Sequence, residues 1–359
     1  MSIIVLGSTG SIGVNTLNIA RRFNLEVEAI TANGNVELLN KQIEEFKPRF
    51  VAIGDGRKRE LVKHKRVFIG IDGILEMLEL SSSKKVVNAL VGFFGLKPTI
   101  KSIELNKELA LANKESLVIG GEFINTAKIT PIDSEHFGLW YLLNGKKPNR
   151  LIITASGGAF RDWEIEKIKN AKLADALKHP NWAMGQKITI DSASMVNKLF
   201  ELLEARWLFN TSKIDALIER NSIVHALVEF IDGTTTAQLS NTDMKLPIAY
   251  AILDRVTEPI LKPVDLLKLN AIKFEEIKED RYPIWQIKDH LLNNPQMGVV
   301  LNRANEAAIE GFIAQKYGFF GMVDRILHAY KEFTNIKANT LEDIFKIDKE
   351  VEQFCKREF

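Results

Sequence analysis

The sequence predicts an α/β protein with a parallel sheet wound with crossover helices at the N-terminus, a central α+β domain and a helical C-terminal domain. Three observations support this. Short apolar β-type runs alternate with helical patterns up to about residue 130, which is the signature of parallel strands joined by helices. A glycine-rich turn, Gly7-Ser-Thr-Gly10-Ser-Ile-Gly13, follows the first run directly. From about residue 296 the apolar spacing is helical, as in Ala304–Phe312.

The first block, residues 1–130, offers the strands Ile3–Leu6, Val27–Thr31, Phe50–Ile53, Val67–Ile69, Val86–Ala89 and Leu109–Ala112. The second, 131–254, opens near Pro131 and carries the strands Leu151–Ala155, Ile223–Phe230 and Thr234–Leu239, with a helical stretch after Asp191. A connector at 255–282, marked by Pro259 and Pro263, leads to the helical block 283–359.

Hydrophobic residues are 46% and charged residues 26% of the chain, which excludes disordered, collagen-like and membrane-spanning compositions. Basic and acidic residues, 48 and 46, are interspersed, so no global field points to nucleic acid or an anionic membrane as partner. The single cysteine, Cys355, can form neither an intrachain disulfide nor a multi-thiolate metal site, which suits a reducing cytoplasm. A buried strand begins directly after Met1, where a secretory signal would need a basic stretch and an apolar one. Ala89–Leu96, among the longest apolar runs, falls well short of the roughly 18–20 residues that cross a bilayer.

At the glycine turn, strand, turn and helix stand in the order a Rossmann-like dinucleotide site requires. Glycine lets the backbone approach a pyrophosphate, whose charge meets amide N–H groups at the helix N-terminus. Packing of helix on strand alone is the plainer alternative. Ala29–Ala32 runs into Asn33-Gly34-Asn35 without the carboxylate that usually meets an NAD ribose, which favours NADPH. Asn113-Lys114-Glu115 closes a strand of the same block, where nicotinamide and substrate would meet.

Asp133-Ser134-Glu135 places two carboxylates at i and i+2, on one face if the segment is extended, where they can share a divalent cation; a solvated acidic pair is the alternative. Asp191 reads as the N-cap of a helix that carries Asn197, Lys198 and Glu201 on one face, suited to phosphate and a further metal carboxylate, or to a surface ion pair. Ser156-Gly157-Gly158 follows an apolar strand and can form a phosphate nest or a plain turn. His179-Pro-Asn-Trp182-Ala-Met184-Gly185 reads as a loop able to close over substrate, or as ordinary core residues.

With the motifs GSTGSIG at 7–13, LANKES at 111–116, PIDSEH at 131–136, ASGGAF at 155–160, HPNWAMGQKITIDSASMVNK at 179–198 and EARWLF at 204–209, the whole chain resembles the 1-deoxy-D-xylulose 5-phosphate reductoisomerase family. The resemblance implies metal ligation by Asp133, Glu135 and Glu201, with Mg²⁺, Mn²⁺ or Co²⁺ as the cation. It implies phosphate binding by Ser156, Ser192, Asn197 and Lys198, hydroxyl contacts from Lys114 and Ser134, and a flap near 179–187 with His179, Trp182 and Met184. Gly7, Thr9, Gly10, Ser11, Ile12, Gly34, Asn35, Asn113, Glu115 and Gly185 fall at cofactor-binding positions.

The implied reaction rearranges a small phosphorylated ketose to an aldehyde that NADPH reduces, in a homodimer. Asn33-Gly34-Asn35 lacks the lysine common in the family after the second strand, leaving Arg57, Lys58 or Arg59 as sources of positive charge; Ala159 stands where proline is common. Two rivals remain. A semialdehyde dehydrogenase would need Cys355 as nucleophile, and an NADP(H)-sensing regulator would need no metal and phosphate residues.

Overall fold

The computed structural model describes residues 1–143 and 145–359. They form two compact units, one of Met1–Ser116, Asn125–Phe137 and Asp243–Lys262, the other of Leu117–Ile124, Gly138–Thr242 and Pro263–Phe359.

The first unit is built on strands β1 (Ser2–Leu6), β2 (Glu26–Ala32), β3 (Phe50–Ile53), β4 (Val67–Ile69), β5 (Lys85–Asn88), β6 (Glu108–Leu111) and β7 (Ile129–Pro131). They lie in the order β4-β3-β2-β1-β5-β6-β7, every pair parallel. The winding reverses at β1, between β2 and β5, and ligands of open α/β sheets bind outside the strand ends at such a point. Val5, Ile30, Val51 and Val87 are buried in the sheet because helices cover both faces, so the strands read as continuous apolar runs instead of alternating ones.

All six strands read from the sequence are present, shifted at their ends by a residue at most. The seventh, β7, is only three residues long and ends in Pro131, which leaves little apolar signal. The helix Lys245–Ile252 also belongs to this unit, although the sequence reading placed it in the central block. Its Ile248, Ala249 and Ile252 join Ile3, Leu17 and Ile30 in one apolar core.

The second unit holds β8 (Pro148–Ala155), β9 (Ile214–Ile218), β10 (Val224–Phe230) and β11 (Thr235–Leu239) in the order β11-β10-β8-β9. β10 runs antiparallel to both β11 and β8, while β8 and β9 are parallel. β9 escaped the sequence reading because Asp215 interrupts it; that carboxylate is held by Arg150 at 2.7 Å and Lys288 at 3.2 Å. The expected C-terminal helices are Gly298–Ile313, Phe319–Glu332 and Leu341–Glu358. A capping box of Thr340 and Asp343 starts the last, and Arg303 ties the first to it through a bidentate pair with Asp348 at 2.8 and 2.7 Å. Among the described residues no helix is long and apolar enough to cross a membrane.

Gly13 fixes the approach of the first helix to β1, because a Cβ there would sit 2.2 Å from the carbonyl oxygen of Gly7. Gly13→Ala is expected to cost about 1–3 kcal/mol of stability, measured by denaturant unfolding, and to weaken dinucleotide binding. An unchanged midpoint would show that the turn can move aside.

Candidate active site

Gly7 leaves β1 with φ +85°, and a side chain there would meet the Ala89 carbonyl oxygen at 2.6 Å, so both conformation and space demand glycine. Its N–H donates to Thr31 Oγ1 at 2.8 Å, and Gly10 N–H closes the turn on the Gly7 carbonyl at 3.1 Å. Ser8 is buried and exchanges hydrogen bonds with Gln42, its Oγ to Oε1 at 2.7 Å and its carbonyl accepting from Nε2 at 2.9 Å. Gly10 is the N-cap of the helix Ser11–Arg22 without a side-chain cap, which leaves the helix N-terminus to an outside acceptor. Thr9 and Ile12 are half-buried and Gly10 and Ser11 exposed at this turn. At the end of β2, Asn35 caps the helix Val36–Phe46 by accepting from Leu38 N–H at 3.2 Å, and the Lys58 ammonium donates to the Gly34 carbonyl at 2.9 Å.

After β6, Asn113 is buried and its amide donates to the carbonyls of Leu90 and Gly92, both at 3.0 Å, and to Glu115 at 3.1 Å. Asn113 thus secures the loops after β5 and β6, a structural task the sequence did not reveal. The neighbouring Lys114 ammonium reaches Asp133 Oδ2 at 2.7 Å. Asp133 and Glu135 do not lie on an extended segment. The helix Ser134–Leu143 begins there, and Asp133 Oδ1 accepts the Glu135 N–H at 3.2 Å as a cap would. Ser134 Oγ donates to Glu135 Oε2 at 2.6 Å. Burial alone would raise the Asp133 carboxyl, but the charges of Lys114 and His136 overcome it and hold the group well below the usual carboxylate range. His136 was not singled out from the sequence. Its Nδ1 lies 3.2 Å from Asp133 Oδ1, and the i,i+3 spacing at a helix start was the available signal.

In the second unit the region after Asp191 also differs from expectation. Asp191 lies inside the helix Gln186–Ser194 and does not start it; it is buried between Lys187 at 2.8 Å and Asn305 at 2.7 Å. Met195 then takes a left-handed conformation, φ 71°, and a second helix runs Val196–Leu208. Ser192 ends on the first helix, and Asn197, Lys198 and Glu201 on the second. Asn197 Nδ2 donates to Glu201, and the Lys198 ammonium contacts both Glu201 and the Thr154 carbonyl of β8. Lys198 is 4% and Glu201 2% exposed, so this is a buried pair and not a surface one. Gly157 and Gly158 take φ +90° and +68°, and Gly158 lies so close to Ser192 and Ala193 that a Cβ would sit 2.7 Å from the Ser192 carbonyl. Ser156, Ser192 and Lys198 are thereby gathered around the end of β8.

His179 Nδ1 accepts the N–H groups of Asn181 at 3.2 Å and Trp182 at 2.9 Å, which leaves the proton on Nε2, donated to Ser156 Oγ at 2.8 Å. Burial, with a smaller contribution from Arg161, lowers the His179 pKa to about 4. Trp182 meets His225 of β10 edge-on, ring centroids 6.0 Å apart. Met184 is half-buried and Gly185 is the exposed N-cap of the next helix, with no contact that demands glycine. Arg161, also missed from the sequence, donates to the carbonyls of Ser156 at 2.9 Å and Arg220 at 2.7 Å, bracing the serine turn.

A glycine turn at the reversal point of a parallel sheet, opening onto a bare helix N-terminus, defines the class of dinucleotide-binding α/β proteins. The sequence model for 1-deoxy-D-xylulose 5-phosphate reductoisomerase matches residues 3–121, its C-terminal domain 129–209, and a further DXP reductoisomerase C-terminal domain 239–354. The chain is 56% identical to the 1-deoxy-D-xylulose 5-phosphate reductoisomerase of Nautilia profundicola, over 99% of this chain and 100% of that one. It is 55% identical to that of Campylobacter hominis, over 99% of each chain. A crystal structure of DOX-P reductoisomerase with NADPH, fosmidomycin and magnesium superimposes with TM-score 0.93 at 32% identity, covering 99% of this chain and 98% of the other. The chain belongs to the 1-deoxy-D-xylulose 5-phosphate reductoisomerase family.

His179 sets a pH limit. Its pKa is lowered from 6.5 to about 4, so the unfolded chain binds the extra proton first and stability falls as pH drops through that window. The unfolding midpoint of the wild type relative to His179→Gln is expected to be constant above pH 6.5 and to fall between 6.5 and about 4. A difference that stays flat across the window would show that His179 is not held neutral.

Proposed function

We propose that this chain converts 1-deoxy-D-xylulose 5-phosphate to 2-C-methyl-D-erythritol 4-phosphate, using NADPH and a divalent cation. The observation that carries the reading is two ion pairs largely withdrawn from water, Lys114 with the half-buried Asp133 and Lys198 with the buried Glu201. Burying ions costs several kcal/mol each, and a sensor, which needs cofactor affinity alone, has no use for them. The semialdehyde dehydrogenase rival fares worse, since Cys355 is 1% exposed and burial pushes its thiol up to about 11.

Gly7, Thr9, Gly10, Ser11 and Ile12 would hold the NADPH pyrophosphate, with Gly34 and Asn35 toward the adenosine and Asn113, Glu115 and Gly185 toward the nicotinamide. The bare N-terminus at Gly10 fits an anion. Asp133, Glu135 and Glu201 would hold the cation, and their carboxylate oxygens are the hard donors that Mg²⁺ or Mn²⁺ prefers, with Co²⁺ an alternative. When bound, the cation supplies polarisation of the substrate oxygens and NADPH supplies the hydride. Lys114 keeps Asp133 ionised and, with Ser134, meets substrate hydroxyls. Ser156, Ser192, Asn197 and Lys198 anchor the phosphate. His179, Trp182 and Met184 close over the sugar and exclude water from the aldehyde stage.

The proposed setting is the cytoplasm, in keeping with a buried free thiol. The proposed assembly is a homodimer. Its support is β11, an end strand of its sheet whose Thr235, Thr236 and Ala237 are exposed, the kind of edge a second copy can pair.

Purified protein with the ketose phosphate and Mn²⁺ is expected to oxidise NADPH, form methylerythritol phosphate and stop on chelation. Glu201→Gln is expected to lose at least a hundred-fold in turnover, on the order of a lost electrostatic contact in the transition state, and to bind Mn²⁺ more weakly. Folded, metal-loaded protein that oxidises no NADPH would remove this reading and favour the sensor.

A further inference from the structure

We propose that Lys58 is the residue through which this chain distinguishes NADPH from NADH; the inference rests on the NADPH reading above and assigns the adenosine 2′-phosphate a cation. In a dinucleotide fold the adenosine ribose lies at the end of the second strand, where a carboxylate meets the 2′-hydroxyl of NAD and a cation accommodates the extra phosphate of NADP. Here β2 ends at Ala32 and continues as Asn33-Gly34-Asn35, with neither acid nor base. The charge must therefore come from elsewhere in the fold.

The loop after β3 supplies it. Gly54 N–H donates to the Ala32 carbonyl at 2.8 Å and Asp55 N–H to that of Asn33 at 2.7 Å, so β3 keeps pairing with the β2 loop beyond the sheet itself. A Cβ on Gly54 would lie 2.4 Å from Asn33 Oδ1, which shows how closely the two loops abut. Asp55 then caps the short helix Gly56–Leu61, on which three basic residues stand in succession.

Their side chains have different fates. Arg57 folds back on Asp55 through a bidentate contact at 2.8 and 3.0 Å, and Arg59 pairs with Glu60 at 2.6 Å. Lys58 turns the other way, over Gly34, and donates to its carbonyl at 2.9 Å. Among the described residues it forms no ion pair. A carbonyl uses one of the three ammonium donors, and the remaining two, carrying a full charge at the mouth of the β2 loop, suit a phosphate oxygen. The missing side chain at Gly34 makes room for this approach, since a Cβ there would crowd the Lys58 nitrogen at 3.2 Å.

The test is calorimetric titration of the full-length protein with NADPH, NADH, 2′,5′-ADP and 5′-AMP. Lys58→Met is expected to weaken NADPH and 2′,5′-ADP roughly ten- to a hundred-fold, the scale of one lost charge-assisted hydrogen bond, while NADH and 5′-AMP stay within about two-fold by the same reasoning. Lys58→Arg should retain the preference and Arg57→Met should leave it unchanged, with all variants melting like the wild type. Equal weakening of all four ligands, unchanged NADPH affinity in Lys58→Met, or a loss of selectivity in Arg57→Met would each overturn the assignment. If the wild type binds NADPH and Lys58→Met changes nothing, only the Lys58 inference falls. If the wild type binds no dinucleotide at all, the NADPH reading falls and Lys58 with it.

Discussion

Each unit confines a carboxylate by pairing it with a lysine ammonium in surroundings largely closed to water, and the rest of the proposed chemistry depends on those two pairs. An uncompensated buried carboxylate would take up a proton and lose its value as a ligand. Sheet topology supplies the compensation. Lys114 stands three residues beyond the end of β6 and Asp133 two beyond the end of β7, and these strands are neighbours, with Ile132 N–H extending the pairing to the Leu111 carbonyl at 3.0 Å. In the second unit Lys198 joins the Thr154 carbonyl of β8 to Glu201 one turn along its own helix. Both pairs therefore lie at the C-terminal ends of strands; the first needs two neighbouring strands to form, and the second, whose partners share one helical turn, is anchored by the Thr154 carbonyl of β8.

The break at Met195 has a comparable role. A non-glycine residue in the left-handed region costs on the order of 1–2 kcal/mol, and it persists here between two helices that could otherwise have run on as one. Its effect is to end the helix bearing Ser192 and start the one bearing Asn197, Lys198 and Glu201 in a new direction. Gly158, itself at positive φ, then packs on Ser192 and Ala193. The strain is offset by the buried contacts made on either side of the break, where Ile190 and Ala193 before it and Val196, Leu199 and Phe200 after it are enclosed.

Much of this was legible in the sequence, for identifiable reasons. Buried parallel strands leave unbroken apolar runs, so β1 through β6 were plain, and the glycines of the first turn announced a backbone position that only glycine tolerates. β7 and β9 were missed because one is three residues ending in proline and the other carries Asp215 in an otherwise apolar run. Asp133 reads as extended because a single polar residue does not say whether it ends a strand or caps a helix. Asp191 reads as a cap because nothing in its neighbours reveals that Asn305, 114 positions away, buries it. Pairings of that range are tertiary facts. The partner of Lys198 could be named from helical spacing, but its contact with Thr154 and its burial could not.

The polarity of the groups at the end of β8 argues for an anion more strongly than their identities do. His179 receives two backbone N–H groups at Nδ1 and must therefore donate from Nε2, and Ser156 Oγ accepts that proton together with the Gly158 N–H at 3.0 Å. With both acceptor sites of the hydroxyl engaged, its own hydrogen is the part directed outward. Arg161 on the Ser156 carbonyl takes up the nearest acceptor of the turn. What this turn can offer a ligand is thus donors, and a ligand that meets only donors there carries acceptor oxygens, as a phosphate does. A neutral, donating His179 is what sustains that arrangement, because protonation of Nδ1 would turn two of its hydrogen bonds into donor against donor and release the loop that carries Trp182.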